Sequence, residues 1–307
     1  MKINAANVHC ARGFMIKALF IIANFLLMTV TVQAEECLQP DKLVFSVVPS
    51  DKKSLEIENY QPLANAIAQQ LNISVELKAL HSYGDIVSEL IQGELHFARL
   101  GAFSYVTAAS LNDSIQPFAV HYHASNPPFQ DEGSFYYSIL IVHADSPYKD
   151  IASLQNKTVL LTEQGSTSGV LVPRVLFTKH MKVAKLNDFF DAVIYSGGHD
   201  TSTLAIANRE FDAAFVSARN LSRLVMSGAV DVNQFRILWR SQPIPHGPYV
   251  FNNHLCEPYQ NVIAQAAFNI HKSIEGQTML QALGALCLAP VTAGDYSIVQ
   301  ELSKLRH

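Results

Sequence analysis

The chain has 307 residues, 49% of them apolar and 16% charged, with a formal net charge of −4. That apolar share fills a sizeable core and excludes a disordered or fibrous chain, and the length suits two domains of ordinary size. There is no basic surplus to hold nucleic acid or an anionic membrane, so any bound anion must be met by a few aimed donors.

In chain order, the first signal is an address. Residues 15–34, "MIKALFIIANFLLMTVTVQA", carry Lys17, an apolar run and a small-x-small ending at Val32 and Ala34. This reads as a secretory signal cleaved after Ala34, with residues 1–34 removed; the run is short for a membrane span and no stop-transfer pattern follows. Glu36 before Cys37 argues against lipidation. Export permits disulfides. Cys10 leaves with the signal, and Cys256 and Cys287 flank two helical segments that could fold back as a hairpin. That pair is the expected disulfide, with Cys37 left over, and the cysteine spacings match no zinc or redox signature.

From Asp41 the pattern alternates. "KLVFSVVP" reads as a buried strand and "NYQPLANAIAQQL" as a helix with Leu63, Ile67 and Leu71 on one stripe. "ISVELKAL", "YGDIVSELIQG", "ELHFARL" and "AFSYVTAASL" continue strand, helix, strand, helix. After "SIQPFAVHYH", a polar proline-bearing loop and the β-rich run "FYYSILIVHA", the alternation restarts with "TVLLT" and ends in a tail read as helical from Pro258. Two such series imply two α/β domains with parallel sheets covered by helices, and ligands in such folds sit at the carboxyl ends of strands.

The loop "EQGSTSG" follows a strand, so it lies at that edge, just before a predicted helix. One hydroxyl would cap the helix. Three in a row, Ser166, Thr167 and Ser168 between two glycines, suggest a cradle for an anion. The loop is not a nucleophile elbow, whose G-x-S-x-G centre must be serine where Thr167 stands, nor a phosphate-binding P-loop, which needs Gly-Lys-Ser/Thr. "HYH" puts His121 and His123 on one strand face, but no third ligand stands at a recognisable spacing, so no metal and no cofactor is expected. His199, after two glycines and before a helix, shares the ligand edge.

The segments "GELHFARLGAFSYVTAA", "FYYSILIVHADSPYKDIASLQNKTVLLTEQGSTSGVLVP", "GGHDTSTLAIANREFDAA" and "ILWRSQPIPHGP" resemble the periplasmic phosphonate-binding proteins of ABC importers, in order and at familiar spacing. The resemblance implies a two-lobed α/β solute-binding fold of type II with a two-strand hinge. One lobe would comprise residues 41–138 plus 245–307 and the other residues 139–244. It implies a small phosphorus oxyanion (phosphite, phosphate or a simple phosphonate) held by Ser166, Thr167, Ser168, Tyr83, Tyr136 and His199. Where members that take aminoethylphosphonate place two carboxylates, this chain has Arg219 and Gly247; Arg99 stands where the family often has an aromatic. Both arginines are candidate ligand contacts, and an ammonium beside Arg219 would be repelled. The expected protein is a periplasmic monomer that is not an enzyme and that serves an inner-membrane permease. Its alternatives are a module docking on a sensor kinase, and an exported hydrolase using Ser166 or Ser168 with His199 and Asp200.

Overall fold

The computed structural model describes residues 37–49, 56–252 and 254–305, so the expected signal segment lies outside the described residues. Strand β1 (Lys42–Val47) is buried along all but its first residue. Helix α1 (Gln61–Leu71) starts with Pro62 in its first turn, where a missing N–H is harmless, and buries Leu63, Ala64 and Ile67. Strand β2 (Ser74–Leu77) leads to α2 (Tyr83–Gln92), which Ser82 caps by accepting from the Asp85 N–H and Gly93 ends at φ 82°. Then follow β3 (Phe97–Arg99), α3 (Ala102–Leu111) and β4 (Ile115–Tyr122).

The β-rich run divides into β5 (Phe135–Tyr136) and β6 (Ser138–His143). After β7 (Thr158–Leu161) the chain enters a helical stretch wound with wide i to i+5 turns over Thr167–Leu171 and Pro173–Phe177, which runs into α4 (Thr178–Met181). The Leu171 N–H reaches the Ser166 carbonyl at 3.1 Å, one residue further back than in an α-helix. Next come β8 (Ala192–Tyr195), α5 (His199–Ala207), β9 (Ala213–Ser217), α6 (Ala218–Met226), β10 (Phe235–Arg240), β11 (Ile244–Pro245) and β12 (Pro248–Asn252). The tail holds α7 (Glu257–Asn269), α8 (Ile274–Ala282), β13 (Cys287–Pro290) and α9 (Ser297–Lys304).

The strands form a six-stranded sheet, β13-β4-β12-β3-β1-β2, and a five-stranded sheet, β10-β6-β9-β7-β8. Pairing is parallel where a helix links the strands, as for β1 with β2 and β3 or β7 with β8 and β9. It is antiparallel where the chain returns from the other sheet: β12 runs against β3 and β4. The sheets are therefore mixed where the alternation alone suggested parallel ones. Between them β5 pairs with β11, Tyr136 opposite Ile244, as a short two-stranded ribbon. This is the two-lobed α/β architecture with a two-strand hinge, and no helix among the described residues is long and apolar enough to cross a membrane.

The expected Cys256–Cys287 bridge is wrong. Cys37 pairs with Cys256, and Cys287 is free. The cause is β13, which the helical reading of the tail missed. It draws Cys287 into register with Tyr122 at the sheet edge, while Cys256 precedes α7. The segment around Leu38 lies alongside it, with the Cys256 N–H donating to the Leu38 carbonyl at 3.0 Å.

Candidate functional site

The carboxyl ends of the strands converge on one cavity of about 80 Å³, enclosed by elements of both sheets. All eight residues singled out in the sequence line it: Tyr83 at the start of α2, Arg99 at the end of β3, Tyr136 on the ribbon, Ser166, Thr167 and Ser168 after β7, His199 at the start of α5, and Arg219 in α6. Ser166, Thr167, Ser168 and His199 are almost wholly buried.

The cradle is built by short local bonds. Ser166 Oγ caps the wide helical turn by accepting from the Gly169 N–H at 3.1 Å. Gly169 is there for space: a Cβ on it would stand 1.9 Å from Thr162 Oγ1, at the end of β7. The Ser138 hydroxyl donates to the Ser168 carbonyl at 2.6 Å and fixes the loop to the start of β6. Thr167 Oγ1 accepts from the Phe103 N–H at 2.9 Å, and the Ser104 hydroxyl donates to the Gly165 carbonyl at 3.0 Å. These last two bonds join α3, on the six-stranded side, to the loop on the five-stranded side.

His199 has a defined proton. The Ser217 N–H donates to its Nδ1 at 3.1 Å, so Nδ1 carries the lone pair and Nε2 the hydrogen, 3.2 Å from Ser166 Oγ. Burial, with the Arg223 charge nearby, lowers its pKa to about 3, so the ring is a neutral donor. Asp200 does not orient it; that carboxylate is bonded to Arg223. Burial raises the Tyr136 phenol above its usual range, so it too stays protonated beside Thr167 and Ser168.

The remaining wall was only partly foreseen. Arg99, Arg219 and Arg223 line it, as do His121, His246, Tyr60 and Gly247, and among the described residues no acidic side chain does. The Arg219 Nη1 lies 3.1 Å from His123 Nδ1, which itself donates to the Gly284 carbonyl at 2.6 Å. His246 stacks on Tyr136 with ring centres 4.8 Å apart and planes at 15°. Burial first, then neighbouring arginines and histidines, holds His121 and His246 well below the usual histidine range and His123 at about 2. The alternation in "HYH" did put the two rings on one strand face, which the structure buries. His246 stood in the quoted "IPHGP" but was passed over for its neighbour Gly247. There a Cβ would stand 1.9 Å from the Leu100 carbonyl oxygen, so no side chain fits without moving the backbone. Among the described residues no group of His, Cys, Asp and Glu could hold a metal ion.

A family model described as "ABC transporter, phosphonate, periplasmic substrate-binding protein" matches residues 45–296. The phosphonates-binding periplasmic protein of Escherichia coli is 28% identical over 256 residues, covering 82% of this chain and 72% of the relative. The phosphate-import protein PhnD of Mycolicibacterium smegmatis is 26% identical over 284 residues, covering 86% and 85%. Among solved structures, the binding-protein component of a Pseudomonas aeruginosa ABC phosphonate transporter superposes with a TM-score of 0.76 at 21% identity, covering 88% of this chain and 87% of that one. PhnD1 of Prochlorococcus marinus in complex with methylphosphonate gives 0.74 at 16%, covering 87% and 98%. The match over residues 45–296 spans both sheets and the cavity between them, and the chain belongs to the family of periplasmic phosphonate-binding proteins of ABC transporters.

Proposed function

We propose that this protein captures a small phosphorus oxyanion (phosphite, phosphate or a simple phosphonate) in the periplasm and delivers it, as a monomer, to an inner-membrane ABC permease. The observation that carries the reading is the cavity itself. Three buried hydroxyls, a protonated phenol and the His199 Nε2–H converge on about 80 Å³ with three arginines, one of them (Arg223) paired with Asp200, and among the described residues no acidic side chain lines it. Pockets for drug-sized ligands measure roughly 300–1,000 Å³, so this space suits a compact anion. Neutral donors and the N–H groups of the helical stretch after Ser166 would hold the phosphorus oxygens, with the positive end of its dipole behind them. The lobes would be residues 41–138 plus 245–307 and residues 139–244, closing over the ligand.

The alternatives fare worse. A hydrolase would need His199 Nε2 as a lone pair facing serine, and the Ser217 N–H assigns that nitrogen the hydrogen instead. No observation favours docking on a sensor kinase, while the family model is one of ABC transporters and the Mycolicibacterium smegmatis relative is a phosphate-import protein. Thermal-shift measurement of the chain from residue 35 against phosphate, phosphite, methylphosphonate, sulfate and aminoethylphosphonate tests the reading. The phosphorus oxyanions without an ammonium should raise the melting temperature most. A shift with sulfate alone, or with none, would refute it.

A further inference from the structure

We propose that the part of the cavity lined by Arg99, Arg219, His121 and His246 binds a second anionic group on the ligand, so that the preferred cargo is a compact phosphonate bearing a carboxylate close to phosphorus. This rests on the oxyanion reading above. The wall in question brings Arg99 from β3 and Arg219 from α6 onto one small space, and among the described residues no acidic side chain lines it. It also holds two imidazoles, His121 at 1% and His246 at 3% exposure. His121 Nε2 is 2.8 Å from the Tyr249 hydroxyl, but among the described residues its Nδ1 has no hydrogen-bond partner, and neither has His246 Nε2.

Buried polar nitrogens are ordinarily satisfied, and two unsatisfied ones on the wall of a ligand cavity point to a partner that the ligand brings. A methyl group placed there would leave both nitrogens as they are. A carboxylate would accept from the planar guanidinium of Arg219 and from an imidazole N–H, bonds that are short and strong because the acceptor is charged. An ammonium would meet two guanidiniums. Gly284, at φ 59°, helps shape this wall: a Cβ on it would stand 3.2 Å from Arg219 Nη1.

Size narrows the ligand further. At roughly 10–15 Å³ per water-sized site, the cavity takes on the order of five to eight non-hydrogen atoms. A phosphonate head fills four of them, leaving space for a carboxylate on phosphorus or one carbon away, and excluding a nucleotide.

Titration calorimetry with phosphonoformate, methylphosphonate and aminomethylphosphonate, three ligands of similar size, tests the proposal. Phosphonoformate should bind at least about tenfold tighter than methylphosphonate, with aminomethylphosphonate weakest. In Arg219→Met, phosphonoformate should lose more affinity than methylphosphonate, so that the ratio shrinks to about threefold or less. Methylphosphonate binding as tightly as phosphonoformate, or an unchanged ratio in a folded Arg219→Met, overturns the second-group site while leaving the oxyanion reading intact. If none of the three binds, and phosphate and phosphite do not either, the oxyanion reading itself falls and this inference with it.

Discussion

Thr167→Ala removes two things at once, and the structure separates them. The first is a hydroxyl facing the cavity; a hydrogen bond to a charged ligand is worth about 1.5–3 kcal/mol. The second is the acceptor for the Phe103 N–H, 2.9 Å away in α3 on the six-stranded side. With the cavity closed that N–H would be buried and unsatisfied, at a cost of about 1–3 kcal/mol. Together they weaken binding by about 2.5–6 kcal/mol, roughly a hundredfold to ten-thousandfold. Unfolding stability should change by less, because with the cavity open water can satisfy the same N–H. Thr167→Ser keeps the oxygen and should recover most of the affinity. Calorimetry with the best oxyanion from the thermal screen, paired with urea unfolding of the free proteins, reads both quantities. If Thr167→Ala binds within about threefold of the parent, or if Thr167→Ser is as damaged as the alanine variant, the hydroxyl is only part of a helix cap.

Acid should destabilise the protein steeply. His121, His123, His199 and His246 are all held below the ordinary histidine value, chiefly by burial. The unfolded chain therefore holds more protons below about pH 6.5. Stability is full above that pH and falls towards the folded values of about 3 for His199 and 2 for His123, by up to about 1.4 kcal/mol per pH unit for each ring. Equal urea midpoints at about pH 7.5 and 5 would contradict this burial. Gly247→Ala, whose Cβ would meet the Leu100 oxygen at 1.9 Å, should cost about 1–3 kcal/mol or more in urea unfolding. A change under about 0.5 kcal/mol would mean that the backbone there gives way easily. For the disulfide, Cys287→Ser in the chain from residue 35 should leave no thiol that reacts in denaturant without reductant; a reactive thiol would reject the Cys37–Cys256 pairing.

The elements with a strong local signature were legible. The apolar stripe and Pro62 of α1, the Ser82 and Gly93 caps of α2 and the strand before "EQGSTSG" each carry their cause within a dozen residues. The cradle was legible for the same reason, since three hydroxyls after a strand and before a helical turn can be read without knowing what faces them. Strand β13 was not. "CLAP" has too little pattern of its own and becomes a strand by pairing with β4, more than 160 residues earlier, and that non-local pairing also decided the disulfide. The histidine wall fell between these cases. "HYH" showed two rings on one strand face, but their meeting with His246, Arg99 and Arg219 depends on the return of the chain through β11 and β12.

The ribbon of β5 and β11 has a consequence for unloading. Tyr136, which faces the cavity, stands on that ribbon, and Ser138, just beyond it, grips the cradle through the Ser168 carbonyl. Joint and grip are thus the same few residues. A torque that widened the angle between the sheets would twist the ribbon and move Tyr136 and Ser138 together. Under the proposed function, cargo held this way would be shed by torsion alone, without any competing group entering the cavity. Tightness of hold and ease of mechanical discharge are then set by different features, the donors in the cavity and the stiffness of a two-residue strand pair.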